Sequence, residues 1–185
     1  MTSTRQYRNV LAASDCLHDQ AAIRAAITAT AAQIDQAFAG IEQPLFITIM
    51  NGGLFFAAEL GFASVTAFQF DYAHASRYRG TQGGGLEWRR RPDVDMSGRH
   101  VLLVDDILDE GHTLLAIREH CLAQGAAAVR IAVLTEKIHD RRAPGIQADH
   151  VCLQVPDRYV FGYGMDWHGH GRNLPAIHAL KDPEA

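Results

Sequence analysis

The stretch that decides the fold is Val101-Leu-Leu-Val-Asp-Asp-Ile-Leu-Asp-Glu-Gly-His-Thr113. Its first four residues are continuously apolar, which is typical of a β-strand covered on both faces. Three carboxylates follow within five positions, at Asp105, Asp106 and Asp109. The pattern predicts a buried strand that ends in an acidic loop.

The segment after this loop predicts a helix and then another strand. Leu114, Ile117, Cys121 and Leu122 recur at helical spacing, Gly125 is a stop signal, and Val129 to Leu134 is again apolar. A strand, a helix and a strand in this order form a βαβ unit, whose strands are parallel.

The segments before the deciding stretch predict the same architecture. A helix is predicted from about Asp19 to Phe38, a strand from Leu45 to Met50, a helix from about Leu54 to Leu60, and a strand from Ser64 to Phe70. Two successive strand–helix–strand passages predict an α/β fold with a parallel sheet covered by helices. Ligands of such sheets bind at the carboxyl ends of the strands.

Composition sets limits on function. The chain has 185 residues, which suits one domain, and a formal net charge of −4, which argues against general binding to duplex nucleic acid. The longest uncharged stretch, residues 43–58, is interrupted by Asn51-Gly52-Gly53 and is too short to span a membrane. Cys16, Cys121 and Cys152 form no Cys-x-x-Cys pair, so we expect neither disulfides nor thiolate zinc, and we expect a reducing cytoplasm.

Two other segments invite interpretation. Residues 74–88 combine four glycines with arginines, a composition that cannot pack a core and that predicts a mobile lid. His168 and His170 lie two positions apart, but without a third ligand they predict exposed loop residues and no zinc site.

The acidic loop itself points to a ligand. A carboxylate could simply cap the helix, but Gly111 before Thr113 also gives the loop free amides and a hydroxyl, which can bind a phosphate at a helix N-terminus. Adjacent carboxylates at a strand end suit two ribose hydroxyls and a divalent cation. A sugar phosphate is therefore the inferred ligand; the loop matches neither a Walker A nor a dinucleotide-binding motif.

The deciding stretch closely resembles the phosphoribosyl-pyrophosphate signature of type I phosphoribosyltransferases. Other segments resemble the hypoxanthine-guanine branch of that family: Met50 to Gly53 its pyrophosphate loop, Val155 to Asp166 and Arg172 to Pro175 its purine-binding hood. The likeness covers about residues 45–177. It implies one domain with a parallel-sheet core over about 40–150 and a small hood built from the N-terminal segment and about 151–185.

The resemblance also implies roles for individual residues. Asp109 would be the general base facing purine N7, and Lys137 would donate to the 6-oxo group. Tyr159 would stack on the base, and the backbone of Val160 would contact the purine edge. The remaining implied contacts are Asp105 and Asp106 with the ribose, Glu110, Gly111, His112 and Thr113 with the 5′-phosphate, Asn51, Gly52, Gly53 and Arg172 with pyrophosphate, and Asp105 and Asp166 with magnesium.

The implied activity is purine salvage with Mg²⁺: transfer of phosphoribose from phosphoribosyl pyrophosphate to hypoxanthine or guanine, giving IMP or GMP. A lysine donor at carbon 6 favours an oxo over an amino group, so adenine is disfavoured. Alternatives are an enzyme for another base, such as xanthine, and a regulator that uses the pocket to sense phosphoribosyl pyrophosphate. The resemblance further implies a homo-oligomer, a dimer or a tetramer. The net charge and the short apolar stretches favour no nucleic-acid or membrane partner.

Overall fold

The computed structural model describes residues 3–77 and 86–181, with the side chains of Arg77 and Leu86 left aside. Its helices are α1 (Thr4–Ala13), α2 (Gln20–Ala37), α3 (Leu54–Ala63) and α4 (His112–Ala123). Its strands are β1 (Asp15–His18), β2 (Leu45–Met50), β3 (Gln69–Arg77), β4 (Leu86–Arg90), β5 (His100–Leu108), β6 (Ala128–Lys137), β7 (His150–Val155), β8 (Val160–Phe161) and β9 (Ile177–Ala179).

The central sheet has six strands in the order β4-β3-β2-β5-β6-β7, and every adjacent pair is parallel except β3 and β4. The apolar run Val101–Val104 lies in β5, between β2 and β6, and each of its four residues is fully buried. The predicted α/β fold with a parallel sheet is therefore confirmed, and the deciding stretch occupies its interior.

The two faces of the sheet bury alternate residues of the same strands. On one face, Phe46 and Leu102 pack against α2 and α3 through a cluster that includes Ile27. On the other face, Leu103 packs with Ile117 of α4. Because side chains alternate across a strand, continuous apolar sequence is what a sheet covered on both faces requires.

A second, three-stranded sheet joins the two ends of the chain. β1 pairs with β9, and β9 pairs with β8, both antiparallel. Arg158, next to β8, binds the Asp15 carboxylate at 2.6 Å. This sheet, which we call the hood, lies against the carboxyl ends of the central strands through the segment Gly162–Met165.

The predicted strand from Ser64 to Phe70 is wrong in position, because β3 begins only at Gln69. Residues 64–68 form a loop, in which the Asp35 carboxylate accepts hydrogen bonds from the Ser64 and Thr66 hydroxyls and from the amides of Val65 and Thr66. Side-chain partners of this kind compete with a strand ladder for the backbone amides.

Two further expectations are corrected in detail. The spacing of the sequence groups Leu122 with Leu114, Ile117 and Cys121, but only those three are buried. The side chain of Leu122 is 47% exposed, because it lies about 100° round the helix from Cys121. The outer parts of the predicted lid, residues 74–77 and 86–88, belong to the antiparallel strands β3 and β4. The rest of the lid lies outside the described residues. Over the described ranges, no helix is both long enough and apolar enough to cross a membrane.

Candidate active site

The residues implied by the motifs converge at the carboxyl ends of three neighbouring strands. The Met50–Gly53 loop follows β2, the acidic stretch ends β5, and Lys137 ends β6. Because these strands are parallel and adjacent, their ends lie at one edge of the sheet, where α/β proteins bind ligands. The sequence prediction that these groups share one site is thus consistent with the topology.

Glycines allow the loops to approach the acidic strand end. A Cβ atom at Gly52 would lie 2.1 Å from Asp106 Oδ2. Gly164 of the hood has φ +110°, and a Cβ there would lie 2.1 Å from the Gly52 carbonyl oxygen and 3.2 Å from Asp106 Cβ. The hood, the loop after β2 and the acidic pair are therefore in direct contact.

Asp105 and Asp106 form an acidic pair in which Asp106 is buried and Asp105 is half-buried. The Asp106 amide donates to Asp105 Oδ1 at 2.9 Å, and the Thr135 hydroxyl donates to the Asp106 carbonyl oxygen at 3.0 Å. Burial raises the pKa of both carboxyls, and the neighbouring Asp106 charge raises the pKa of Asp105 further, whereas the charge of Arg172 opposes both shifts. Such a pair favours the arrival of a cation or of hydroxyl donors.

The loop before α4 has the form of an anion site. Gly111, the N-cap residue, has φ +81°, and a Cβ there would lie 2.7 Å from Ile146 Cγ2. Within the described ranges no side chain caps the N-terminus of α4. The backbone N–H groups of its first turn therefore have no side-chain acceptor at this cap. The Glu110 carboxylate is half-exposed, 3.7 Å from His112 Nε2. Only the backbone of Glu110 therefore fits a phosphate contact.

Asp109 lies at the centre of a charged cluster. Its Oδ2 is 2.6 Å from Lys137 Nζ, and its Oδ1 is 2.7 Å from His139 Nε2. Burial acts to raise the pKa of Asp109, but the hydrogen bonds from Lys137 and His139 and the charge of Lys137 outweigh it, and the pKa lies below its ordinary value. The structure thus brings together the two residues implied to recognise the purine.

His139 was not found from the sequence. It lies two positions after Lys137 in a loop rich in charged residues, and no periodicity distinguishes it from the exposed residues on either side, Ile138 and Asp140. Only its contact with Asp109, thirty positions earlier, reveals it.

The hood supplies a second charged pair. Arg172 donates to the Asp166 carboxylate and, at 2.6 Å, to the Gly164 carbonyl oxygen, while the Gly169 amide donates to Asp166 Oδ2 at 2.6 Å. The Tyr159 hydroxyl donates to the Asp166 carbonyl oxygen at 2.9 Å, and its side chain is partly exposed. Val160 is buried and pairs with Ala179.

The site as a whole suits a phosphorylated sugar and a planar base. It combines backbone amides at a helix N-terminus, a pair of adjacent carboxylates at a strand end, and an ammonium beside a carboxylate. Residues 13–168 match the model of the phosphoribosyl transferase domain, and the chain belongs to that family. The resemblance inferred from the sequence is confirmed.

Relatives and solved structures agree with this assignment. The chain is 36% identical to the hypoxanthine-guanine phosphoribosyltransferase of Streptococcus pneumoniae over 167 residues, 89% of this chain and 91% of that protein. It resembles the crystal structure of a hypoxanthine phosphoribosyltransferase from Staphylococcus aureus with a TM-score of 0.86 and 25% identity, covering 98% and 97% of the two chains. A Trypanosoma cruzi hypoxanthine phosphoribosyl transferase, solved in a study of its C-terminal region and oligomeric state, gives 0.84 and 28%, covering 90% and 91%.

Proposed function

We propose that the protein transfers the 5-phosphoribosyl group of phosphoribosyl pyrophosphate to hypoxanthine or guanine, giving IMP or GMP and pyrophosphate. The observation that carries this proposal is the contact of Lys137 with Asp109, 2.6 Å apart beside the N-terminus of α4. One donor and one acceptor side by side match the 6-oxo group and N7 of a 6-oxopurine. The names of the relatives support the same activity.

In this reaction the purine N9 bonds to the anomeric carbon as the bond from that carbon to pyrophosphate breaks. Asp109 accepts the proton that the base releases, which it can do because its carboxylate is ionised at neutral pH, its pKa lying below the ordinary value. Lys137 donates to the 6-oxo oxygen. An amino group at carbon 6 would present hydrogen atoms to this ammonium, so adenine is disfavoured.

The loops after β2 and β5 recognise the sugar and the phosphates. Asp105 and Asp106 accept from the ribose hydroxyls, and the backbone of residues 110–113 with the Thr113 hydroxyl binds the 5′-phosphate. The loop Asn51 to Gly53 approaches pyrophosphate through its backbone, together with Arg172. Tyr159 stacks on the purine, whose edge meets the backbone of Val160.

The donor set fits Mg²⁺. This ion prefers oxygen ligands and binds through one or two carboxylates with substrate phosphates and water. The raised pKa values of Asp105 and Asp106 mean that a neutralising cation beside them is favoured. Asp105 would hold it, and Asp166, whose carboxylate also binds Arg172, would support it from the hood. Bound there, Mg²⁺ would stabilise the charge of the pyrophosphate leaving group.

The free thiols of the three cysteines support a cytoplasmic enzyme.

The test is an assay of pyrophosphate release with hypoxanthine, guanine, xanthine, adenine, orotate and uracil, with and without Mg²⁺. We expect release with hypoxanthine and guanine only when Mg²⁺ is present. Turnover of another base alone would contradict the substrate assignment. Binding of phosphoribosyl pyrophosphate without turnover of any base would contradict the activity and favour the sensor.

We also propose that the chain forms a homo-oligomer through α3 and β3. Phe62 is 92% exposed and Phe70 is 56% exposed, with Val65 nearby at 88%, a cluster of apolar side chains that a single chain leaves in water. A second copy can cover it with the same surface across a two-fold axis. The T. cruzi relative, whose oligomeric state has been studied, supports this choice of partner.

Light scattering after size exclusion measures the mass directly. Phe62→Glu should lower it to that of one chain, whereas Leu122→Glu, at an exposed leucine on α4, should leave it unchanged. A wild-type protein of single-chain mass, or no effect of Phe62→Glu, would contradict the proposal.

A further inference from the structure

The carboxylate of Asp109 has a separate donor on each oxygen. Lys137 Nζ lies 2.6 Å from Oδ2, and His139 Nε2 lies 2.7 Å from Oδ1. The His139 side chain is only 2% exposed, whereas that of Asp109 is 41% exposed. The histidine therefore approaches Asp109 from the protein interior, and solvent or a ligand reaches Asp109 from another side.

The hydrogen bonds of the imidazole define which nitrogen carries the proton. The backbone amide of Arg141 donates to His139 Nδ1 at 3.0 Å, and an amide can only donate. Nδ1 is therefore an unprotonated acceptor, so Nε2 carries the hydrogen and donates it to Asp109 Oδ1. The ring is held as a neutral donor aimed at the carboxylate.

The loop that carries His139 is anchored on both sides. The Ile138 amide donates to the Val155 carbonyl oxygen at 2.9 Å, and the Arg141 guanidinium binds both oxygens of Asp157 at 2.7 Å. Besides Asp109, the charged groups near the ring among the described residues include Lys137 on β6, Asp140 and Arg141 in the same loop, and Asp157 after β7. The position of His139 is thus fixed, and its ring can in turn fix the orientation of Asp109.

We infer that His139 is a positioning residue, which fixes Asp109 by Oδ1 and leaves Oδ2 to receive the purine proton. This inference rests on the proposed function. When Lys137 donates to the 6-oxo group of the base, its ammonium divides its hydrogen bonds between the substrate and Asp109 Oδ2. The hydrogen bond from His139 then keeps the carboxylate in the orientation that proton transfer needs.

The test compares His139→Leu, which removes the donor, with His139→Gln, whose side-chain amide can replace Nε2–H. We expect His139→Leu to lower kcat with hypoxanthine by about tenfold, the effect of one hydrogen bond to a charged group, without raising KM for phosphoribosyl pyrophosphate. His139→Gln should restore most of kcat. In an Asp109→Ala background, His139→Leu should have no further effect, because the group it positions is gone.

A second buried histidine provides the matched control. His150 lies at the start of β7, opposite Ala132 and far along the strands from Lys137, so His150→Leu should leave kcat unchanged. Unchanged kcat in His139→Leu, or an equal loss in the Asp109→Ala background, would overturn the inference. If His139→Leu does not fold, His139→Asn takes its place, because the asparagine side chain is too short for its amide to reach the Nε2 position. Equal kcat values for His139→Asn and His139→Gln would overturn the inference. A wild-type protein inactive with every base would instead contradict the proposed function.

Discussion

Gly52 leaves the space that the Asp106 carboxylate occupies: a Cβ atom at position 52 would lie 2.1 Å from Asp106 Oδ2 and 2.5 Å from its Cγ. The loop after β2 and the end of β5 can meet only because this residue has no side chain. The atom in the way is the end of a side chain, so an added methyl group would displace the carboxylate rather than the backbone.

Gly52→Ala should therefore impair binding of phosphoribosyl pyrophosphate more than folding. We expect its KM to rise about tenfold or more, equivalent to about 1.4 kcal/mol of lost binding. Steady-state kinetics at saturating hypoxanthine measure this value. The control is Gly40→Ala, where φ is +76° and no atom of the described residues lies within 4 Å of the new Cβ. It should lower the free energy of unfolding by about 1 kcal/mol through its backbone conformation but leave KM unchanged; the reverse pattern would refute this account of Gly52.

Asp109→Asn tests the general base. The amide keeps the size of the carboxylate but cannot accept the purine proton, so kcat should fall by about 10² to 10⁴ while phosphoribosyl pyrophosphate still binds. Single-turnover kinetics and titration of the substrate separate the two effects. Asp140→Asn, at an exposed aspartate in the loop after β6, should behave as the wild type. Wild-type turnover in Asp109→Asn would exclude Asp109 as the base.

The central fold could be predicted from the sequence because its signals are local. Continuous apolar runs such as Val101–Val104 and the motif that follows are sufficient to place a buried strand and an acidic loop. The loop at residues 64–68 could not be predicted, because Asp35, which binds its amides, lies about thirty positions earlier. A strand-like alternation of side chains was present there, but tertiary hydrogen bonds prevailed.

The site shows the same division. Asp105, Asp109 and Lys137 could be named as candidates from the sequence because a motif and a strand order locate them. His139 was missed because two tertiary contacts reveal it. One joins it, after β6, to Asp109, after β5, and the other is the Arg141 amide that orients its ring. The pairing of β1 with β9, from opposite ends of the chain, likewise has no local signal, and only the family resemblance suggested it.

Lys137→Gln tests recognition of the base. An amide can present a donor or an acceptor to carbon 6, so the ratio of kcat/KM for hypoxanthine to that for adenine should fall by about tenfold or more. Loss of the ammonium also removes the charged donor to the 6-oxo group, so use of hypoxanthine itself should weaken. The only other lysine, Lys181, is exposed, and Lys181→Gln is the matched control. A ratio equal to that of the wild type would show that Lys137 does not recognise the base.

Asp35 gives a prediction for stability as a function of pH. Burial acts to raise the pKa of this carboxyl, but hydrogen bonds from the side chains of Ser64 and Thr66 and from the amides of Val65 and Thr66 outweigh it, and the pKa lies below the ordinary value of 3.8. A pKa lowered by folding means that the ionised carboxylate stabilises the folded state. This stabilisation is complete above the unfolded pKa and is lost as the pH falls through the folded one.

Asp35→Asn should remove that part of the stability, because a neutral amide oxygen is a weaker acceptor and its NH₂ group cannot accept at all. We expect the free energy of unfolding to fall by about 2 kcal/mol at neutral pH, the range of hydrogen bonds to a charged group. The difference between wild type and variant should shrink as the pH is lowered through 3.8 toward the lower pKa of folded Asp35, below which both carry a neutral side chain. Urea denaturation at a series of pH values measures this difference, with Asp140→Asn as an exposed control that should show none of it. A difference that stays constant down to acidic pH would mean that Asp35 acts through shape alone and that its charge does not hold the loop before β3.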